Sequence, residues 1–498
     1  MLSTFALLKN LPALQVVLPL LAAPLCLLLG RARLAWALAT LVTWLGLAIS
    51  LLLLWQVRDG AVLHYAFGDW PAPWGIEYVV DRLAGYVLLI VSLIAAVVMP
   101  YARQSIAQEI DPALQPLAYT LLLLCLAGLL GMAITGDAFN LFVLLEISSL
   151  SSYALISLGR DRRALTAAYQ YLIMGTIGAT FFIIGVGLLY VMTGTLNLAD
   201  LAERVPELGE TRTVKTAFAF ITVGLALKLA MFPLHLWLPN AYTFAPSVVT
   251  AFLAATATKV ALYAMIRFIY TVFGARFAFD EMHLEWLLLP LAAAGVLIAS
   301  VVAVFQHDLK RMLAYSSVAQ IGYMLLGIAM ANVTGLTAGL LHLFNHALMK
   351  GALFLALGAL FYRIGRSDID AIAGIAREMP LTMAAFVVGG LSLIGVPLTV
   401  GFLSKWYLIL AAIEHGWWPV VMLVLLSSLI AVLYIWRVVE AAYFNERPAG
   451  AAAVREAPAG LLIPIWLLVF ANLYFGIDSS LTVGVAGDAA HGLFGAPQ

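Results

Sequence analysis

The sequence predicts an all-α, polytopic membrane protein with about fourteen transmembrane helices. Three observations carry that expectation. Hydrophobic residues make up 64% of the 498-residue chain and charged residues 10%, against roughly 45–50% and 25% in an ordinary soluble domain. Apolar runs of about 20 residues, enough to cross a ~30 Å hydrocarbon layer, recur from Leu11 almost to the end of the chain. Ionisable side chains nevertheless sit inside several of these runs: Glu146, Lys228, Lys259, His342, His346, Lys350 and Lys405. A charge at the bilayer centre costs at least ~2.5–3.5 kcal/mol, so its repetition on separate spans points to an ion or proton path.

The early spans, Leu11–Gly30, Leu34–Trp55 and Leu83–Tyr101, carry few polar groups. From Leu117 onward the spans gain Gly, Ser, Thr and ionisable residues, through Ala138–Ile156, Ala167–Met192, Thr216–Leu238, Val248–Val272, Trp286–Phe305 and Leu313–Ala331. The last are Leu336–Phe361, Leu381–Ala412, Val420–Phe444 and Leu461–Phe475. The first run lacks a basic flank and a small-residue cleavage site, so no removable signal peptide is expected. With the N-terminus outside, the inside loops hold Arg31, Arg33, Arg103, Arg160, Arg162, Arg163, Lys310, Arg311, Arg363, Arg366, Arg377, Arg447 and Arg455. The outside segments then hold only Lys9, Arg58, Arg204, Arg212, Lys215 and Arg276, which satisfies the positive-inside rule and predicts both termini to be extracytoplasmic. Trp70, Trp74, Trp417 and Trp418 fall where interface belts are expected. A formal net charge of zero gives no sign of a nucleic-acid partner. Cys26 and Cys125 lie in apolar spans and read as small hydrophobes.

Two spans are interrupted. In Lys228-Leu-Ala-Met-Phe-Pro233-Leu-His235-Leu-Trp-Leu-Pro239, each proline removes a backbone donor and obstructs the carbonyl one turn earlier. Such a break is tolerated at membrane depth only where protein or water satisfies the freed groups. The second break falls at Leu393-Ile-Gly395-Val-Pro397-Leu-Thr-Val-Gly401-Phe-Leu-Ser404-Lys405. Two broken spans, one in each half and each with an intramembrane lysine, are the footprint of inverted repeats.

Three stretches resemble a known family: Gly136-Asp137-Ala-Phe-Asn-Leu-Phe-Val-Leu-Leu-Glu146-Ile-Ser-Ser, Pro233-Leu-His-Leu-Trp-Leu-Pro-Asn-Ala-Tyr242, and His307-Asp-Leu-Lys-Arg-Met-Leu-Ala-Tyr-Ser-Ser-Val-Ala-Gln-Ile-Gly322. They are similar to the proton-translocating antiporter-like subunits of respiratory complex I, membrane-bound hydrogenases and Mrp-type sodium/proton antiporters. The resemblance covers almost the whole chain. Leu188-Leu-Tyr-Val-Met-Thr-Gly-Thr-Leu-Asn-Leu-Ala-Asp200 and the Glu146 stretch most resemble the D-type subunit of Mrp antiporters. With the sequence ending soon after the last span, the long lateral helix of the L-type subunit of complex I is not expected, and the M-type usually has Glu in place of Lys405. The resemblance implies N-terminal helices over 1–115, a first five-helix repeat over 116–275, a second over 283–445, and a last helix with its tail over 460–498. It matches Glu146 to the family's fifth-span glutamate, Lys228 and Lys259 to the seventh- and eighth-span lysines, and Lys405 to the twelfth-span lysine. His342, His346 and Lys350 match the polar row of the eleventh span, and their four-residue spacing puts them on one helical face. Relatives often carry Lys where this chain has Gln170, a departure that bears on the branch and on the proton route.

These residue types suit proton transfer. Burial disfavours a charged ammonium, and a carboxylate within about 4–6 Å restores it. A thousandfold change in proton affinity is worth about 4 kcal/mol, comparable with moving one charge across a potential of order 150 mV at about 2.3 kcal/mol per 100 mV. An opening and closing Glu146–Lys228 pair is therefore a sufficient switch, with the other bases as water-linked stations. The structural alternative for one such pair is glue between helices. His342 and His346 have no carboxylate or thiolate companion that would make a metal or haem site. His235 is expected to bond a carbonyl freed by the break, and Asp137 and Asp81 sit near span edges. Arg437 and Glu440, three apart, are expected to pair locally.

The expected function is proton translocation by one subunit of a membrane complex, foremost a Mrp-type Na+/H+ antiporter of the bacterial inner membrane. The alternatives are a proton-pumping subunit of a redox-driven complex, either NADH-quinone oxidoreductase or a membrane-bound hydrogenase, and a stand-alone secondary transporter. No flavin, haem or iron–sulfur motif is present, so no cofactor or metal is expected in this chain. The expected partners are other membrane subunits, protons, sodium and the lipid bilayer.

Overall fold

Helices dominate the computed structural model, which describes residues 8–209, 211–448 and 453–495. Helix α1 (Leu11–Leu28) turns back into α2 (Ala32–Val57). An antiparallel hairpin follows, β1 (Leu63–Ala66) against β2 (Glu77–Val80), in the register Leu63 to Val80 and Ala66 to Glu77. Then come α3 (Arg82–Glu109), α4 (Gln115–Ile134), α5 (Ala138–Ser157) and α6 (Arg163–Thr193). A short surface helix, α7 (Leu198–Glu207), leads to α8 (Arg212–Leu229), α9 (Trp237–Phe244) and α10 (Ser247–Ile266). The second half holds α11 (Glu285–Val304), α12 (Leu309–Ala329), α13 (Val333–Ile364), α14 (Pro380–Ile394), α15 (Val400–Glu414) and α16 (Trp418–Val439). Helices α17 (Ala459–Ile477) and α18 (Ser480–Gly495) complete the chain.

Helix starts follow local chemistry. Asp81, Asp137, Asn197, Asp308 and Asn332 each accept a hydrogen bond from a backbone N–H of the first turn they precede, satisfying donors a helix start leaves free. Gly194 and Gly365 end α6 and α13 in the left-handed conformation, at φ 72° and 68°.

Among the described residues, twelve helical stretches are long and apolar enough to cross a membrane. The expected spans Thr216–Leu238 and Leu381–Ala412 fall on pairs of helices, α8 with α9 and α14 with α15, interrupted beside Pro233 and Pro397. The hairpin, α7 and α18 lie outside the all-helical span pattern and were not foreseen. Burial grades inward. Helices α10 and α12 have 94% of their apolar window buried, against 39% for α6 and α11. Residues 335–360 of α13 are buried without a break, which makes that helix the central post. The lipid-facing residues of the outer helices, such as Leu28, Val191 and Leu429, are left exposed, as a bilayer solvent permits.

The loops sort onto two ends. One end gathers the loops around Arg160–Arg163, Asp308 and Gly365–Asp368. The other gathers the hairpin, the Thr135–Asp137 turn, the Asn197 turn and α18, joined by the Asn197–Glu77 hydrogen bond, the bridge between Asp137 and Asn197 and the Arg82–Asp488 ion pair. Below these are called the arginine-rich end and the hairpin end.

Candidate functional site

Glu146 and Lys228 face each other from α5 and α8, with Lys228 Nζ 3.2 Å from Glu146 Oε1. The ammonium also donates to Ser149 Oγ at 2.8 Å and Tyr153 Oη at 3.4 Å. Position explains the set: Ser149 and Tyr153 lie three and seven residues after Glu146, on one face of α5. Lys228 is the penultimate residue of α8, and Ala230 ends that helix at a φ of 60°, a conformation L-residues adopt with strain. The carbonyl of Leu227, which accepts the Ala230 N–H at 3.2 Å, also accepts from Trp237 Nε1 at 3.1 Å. Close approach places the lysine: a Cβ on Gly224 would lie 2.6 Å from the Gly178 carbonyl, so α8 and α6 meet backbone to backbone.

The remaining bases run through the buried centre. Lys259 on α10 is 0% exposed, bonded to the Ala254 carbonyl and at 3.5 Å to Thr258 Oγ1. Lys350 on α13 is also 0% exposed and donates to the Leu313 carbonyl at 2.9 Å and to Ser316 Oγ. Neither has a carboxylate partner among the described residues. His342 and His346 stack at 5.9 Å between ring centroids, as the four-residue spacing on α13 dictates. His342 Nδ1 lies 2.7 Å from Ser404 Oγ, while its Nε2 and both ring nitrogens of His346 are buried without a protein hydrogen-bond partner. Such atoms in a core are ordinarily satisfied.

Lys405 reaches back from α15 into the second helix break. Its ammonium donates to the Leu393 and Ile394 carbonyls at 3.1 and 2.8 Å and to Ser428 Oγ at 2.9 Å. Those carbonyls are the ones that the Gly395–Pro397 interruption strips of helical donors, and they form the negative end of α14. The ammonium also sits 5.0 Å over the Tyr323 ring, which in turn lies edge-on to His342 at 5.6 Å. A Cβ on Gly401 would meet the Ser392 carbonyl at 1.8 Å, so only glycine lets α15 start here.

The structure thus brings together Glu146 with Lys228, and His342 with Lys405 through Ser404 and Tyr323; Lys259 and Lys350 lie in charge reach of both histidines. Every one of these bases is buried within the protein. His235 occupies the first break, buried between Phe232 and Tyr315 with Nδ1 unpartnered. Asp137 caps α5 at the hairpin end, where burial holds its carboxyl above the usual range. Gln170 accepts from Asn240 at 2.7 Å, tying α6 to α9 by a neutral bond. The expected Arg437–Glu440 pair is not formed: Arg437 donates to the Val304 and Gln306 carbonyls across the α11 end, because freed carbonyls lie nearer than the carboxylate.

Sequence reasoning missed the hydroxyl partners Ser149, Tyr153, Ser316, Ser404 and Ser428. Their signal was available for Ser149 and Tyr153 in helical spacing from Glu146; Ser316 and Ser428 come from other helices and carry none. It also treated Lys310 as a loop charge, whereas Lys310 is 4% exposed, and overlooked Glu109, at 8%. Among the described residues no three His, Cys, Asp or Glu side chains gather in metal-binding geometry.

The family described as NADH:quinone oxidoreductase/Mrp antiporter, TM matches residues 135–431. The chain is 45% identical over 491 residues to the N-type subunit of NADH-quinone oxidoreductase from Desulforudis audaxviator, covering 94% of this chain and 96% of that one. It is 31% identical over 430 residues to the D-type subunit of the Na+/H+ antiporter from Alkalihalophilus pseudofirmus, covering 86% of each. A chain in the solved Mrp complex from Dietzia sp. DQ12-45-1b superimposes with a TM-score of 0.88 at 28% identity, over 98% of both chains.

Proposed function

Because the chain belongs to the NADH:quinone oxidoreductase/Mrp antiporter membrane family, we propose that it is the proton-translocating subunit of a multisubunit membrane complex. One observation carries this reading: a Glu146–Lys228 ion pair at a helix break, followed by buried bases that have no carboxylate partner among the described residues. With the pair closed, Glu146 holds Lys228 as an ammonium. With it open, Ser149 and Tyr153 remain as neutral acceptors, and desolvation favours releasing the proton inward. Lys259, Lys350, His346 and His342 then serve as stations, and Lys405 ends the line.

Adjacent stations on different helices need water between them, since direct proton exchange requires hydrogen-bond distance. The unpartnered nitrogens of His346 and His342 are where such water finds partners. In this reading residues 116–275 and 283–445 are inverted repeats, supported by one broken helix in each and a buried lysine at each break. The arginine-rich end is cytoplasmic and both termini are extracytoplasmic, supported by the bias of Lys and Arg toward that end. Lys405 accordingly governs exchange with the extracytoplasmic side. Asp137 and His235 are held as secondary members of the path, at the hairpin end and in the first break.

The parent complex is read as a Mrp-type Na+/H+ antiporter, supported by the D-type antiporter relative and the superposition on the Mrp complex. A second reading, a redox-driven pump, rests on the 45% identity to an N-type oxidoreductase chain. Purification of the intact complex with identification of its subunits separates them. An antiporter acidifies or alkalises vesicles in response to a Na+ gradient alone; a redox-driven pump copurifies with flavin or iron–sulfur subunits and moves protons only with an electron donor and acceptor. Proton transport by the single purified chain would contradict both.

A further inference from the structure

At the arginine-rich end a cavity of about 670 Å³ opens between α2, α3, α4 and the end of α13, lined among others by Arg33, Arg103, Gln104, Gln108, Tyr119 and Tyr362 and by no acidic residue. Arg33 and Arg103 make no ion pair or side-chain hydrogen bond among the described residues. By contrast Arg163, Arg366 and Arg447 are each held by a carboxylate, those of Asp161, Asp368 and Glu378. The Arg103 guanidinium lies 4.9 Å over the Trp36 ring, which orients it while leaving its N–H donors free for an acceptor with two oxygens. Gln108 is engaged, donating to the Tyr362 carbonyl at 2.7 Å, whereas Gln104 Oε1 is buried without a partner. The cavity therefore offers two cationic donors, which suit a phosphate, and one acceptor, which suits a hydroxyl.

Beyond the cavity the seam between α2 and α3 turns apolar. Trp36 and Trp44 donate their indole N–H groups to the Met99 and Ala96 carbonyls of α3, both at 3.1 Å. Eight residues apart, they line about 12 Å of helix. Trp44 is exposed, as are Leu28 and Leu34 beside the α1–α2 turn. With their polar edges occupied, the indoles present only ring surface, which gains by burial against hydrocarbon. A phosphate seat joined to an apolar strip of this length has the shape of a phospholipid and not of a soluble anion. We propose that the cavity and seam bind one phospholipid of the phosphatidylglycerol class from the leaflet at the arginine-rich end. Its phosphodiester lies between Arg33 and Arg103, a headgroup hydroxyl donates to Gln104 Oε1, and an acyl chain runs along Trp36 and Trp44. Phosphatidylcholine brings neither the net charge nor the hydroxyl. The lipid ties α2 and α3 to α4 and α13 at that end. The site is independent of the proton path and requires only that this end meets a bilayer surface.

The test uses the assembled complex in phosphatidylcholine vesicles doped with a diazirine-bearing phosphatidylglycerol, or with the same diazirine on phosphatidylcholine, and maps the photo-crosslinked peptides by mass spectrometry. With the phosphatidylglycerol probe, crosslinks should gather on α2 and α3 between Arg33 and Trp44 and between Ala96 and Ala107. They should fall when unlabelled phosphatidylglycerol is added and persist when inorganic phosphate is added. A basic residue near a membrane surface is worth about fivefold in affinity for anionic lipid. Arg33→Gln and Arg103→Gln should therefore each lower the labelling about fivefold, and the double variant about 25-fold, at assembly checked on native gels. Arg163→Gln removes the same charge from an ion pair outside the cavity and should leave the labelling unchanged. Equal labelling by the two probes in the wild type, a comparison that needs no variant, overturns the proposal, as does labelling that survives the double substitution. Displacement by inorganic phosphate overturns the lipid in favour of a free anion. A zero-length protein crosslink joining the seam to another subunit, without lipid labelling, overturns it in favour of a subunit interface.

Discussion

Glu146→Gln probes the switch at its most exposed point. The substitution conserves shape but removes the negative charge 3.2 Å from Lys228 Nζ. Breaking a buried ion pair by removing one partner costs about 3–5 kcal/mol. The Glu146 side chain is 23% exposed and Lys228 keeps its Ser149 and Tyr153 bonds, which places the loss at the lower end, about 3 kcal/mol. At about 1.4 kcal/mol per factor of ten, that is roughly a hundredfold change in the balance between closed and open switch. Proton movement by the complex in everted vesicles, followed with a pH-sensitive dye, should fall at least tenfold. Assembly, checked on native gels, should be retained. Combining it with Lys228→Met turns the measurement into a double-mutant cycle: both singles are inactive if the pair acts as a unit, and the double is no worse than either. Wild-type transport in Glu146→Gln, or strictly additive losses, would refute the switch.

Three further outcomes follow from the geometry. Lys405→Ala should abolish proton-coupled transport, while Lys405→Glu should keep part of it with a displaced pH profile, read as vesicle transport across a pH series; an unchanged profile in the alanine variant contradicts the exit role. Gly401→Ala drives a methyl into the Ser392 carbonyl and should cost about 1–3 kcal/mol or more, seen as a lower Tm in detergent, whereas Gly187→Ala, which meets nothing, should leave the Tm nearly unchanged. Burial alone would raise the Asp81 carboxyl, but the Arg267 guanidinium bonded to it holds it below the usual range. A depressed folded-state value adds stability that is present above the unfolded value near 4 and is lost as pH falls through the folded one. The Tm of the wild type should therefore drop more steeply than that of Asp81→Asn below about pH 4.

Hydropathy and proline placement made the helical architecture legible, because a bilayer forces every backbone polar group into a helix and leaves only a few ways to break one. Pro233 and Pro397 announced both interruptions, and Lys228 and Lys405 lie at them for a physical reason visible in sequence order. The hairpin was not legible: Leu63–Ala66 and Glu77–Val80 are four residues each, too short for alternation to stand out, and they are fixed by pairing across a loop and by the Tyr78–Thr135 bridge. Helix α18 escaped notice because its Gly- and Ala-rich run has neither strong apolar periodicity nor span length. Within the site, seven ionisable groups could be chosen from the cost of burying charge. Their partners could not, because Ser316, Ser404 and Ser428 meet the bases only through packing of α12, α15 and α16 around α13. Lys310 was taken for a loop charge because a lysine in the first turn of a helix looks the same in sequence as one in the adjoining loop.

The central claim, that these buried bases form one conducting line, is tested most directly at its midpoint. Lys350 is 0% exposed and bonded only to a carbonyl and a hydroxyl among the described residues. Lys350→Met replaces it with an apolar side chain of similar length, a change a buried site tolerates without loss of fold. Proton flux by the purified parent complex in liposomes, measured for wild type and variant at matched assembly, decides the matter. The account predicts flux at the background of empty liposomes; flux at the wild-type rate would contradict it.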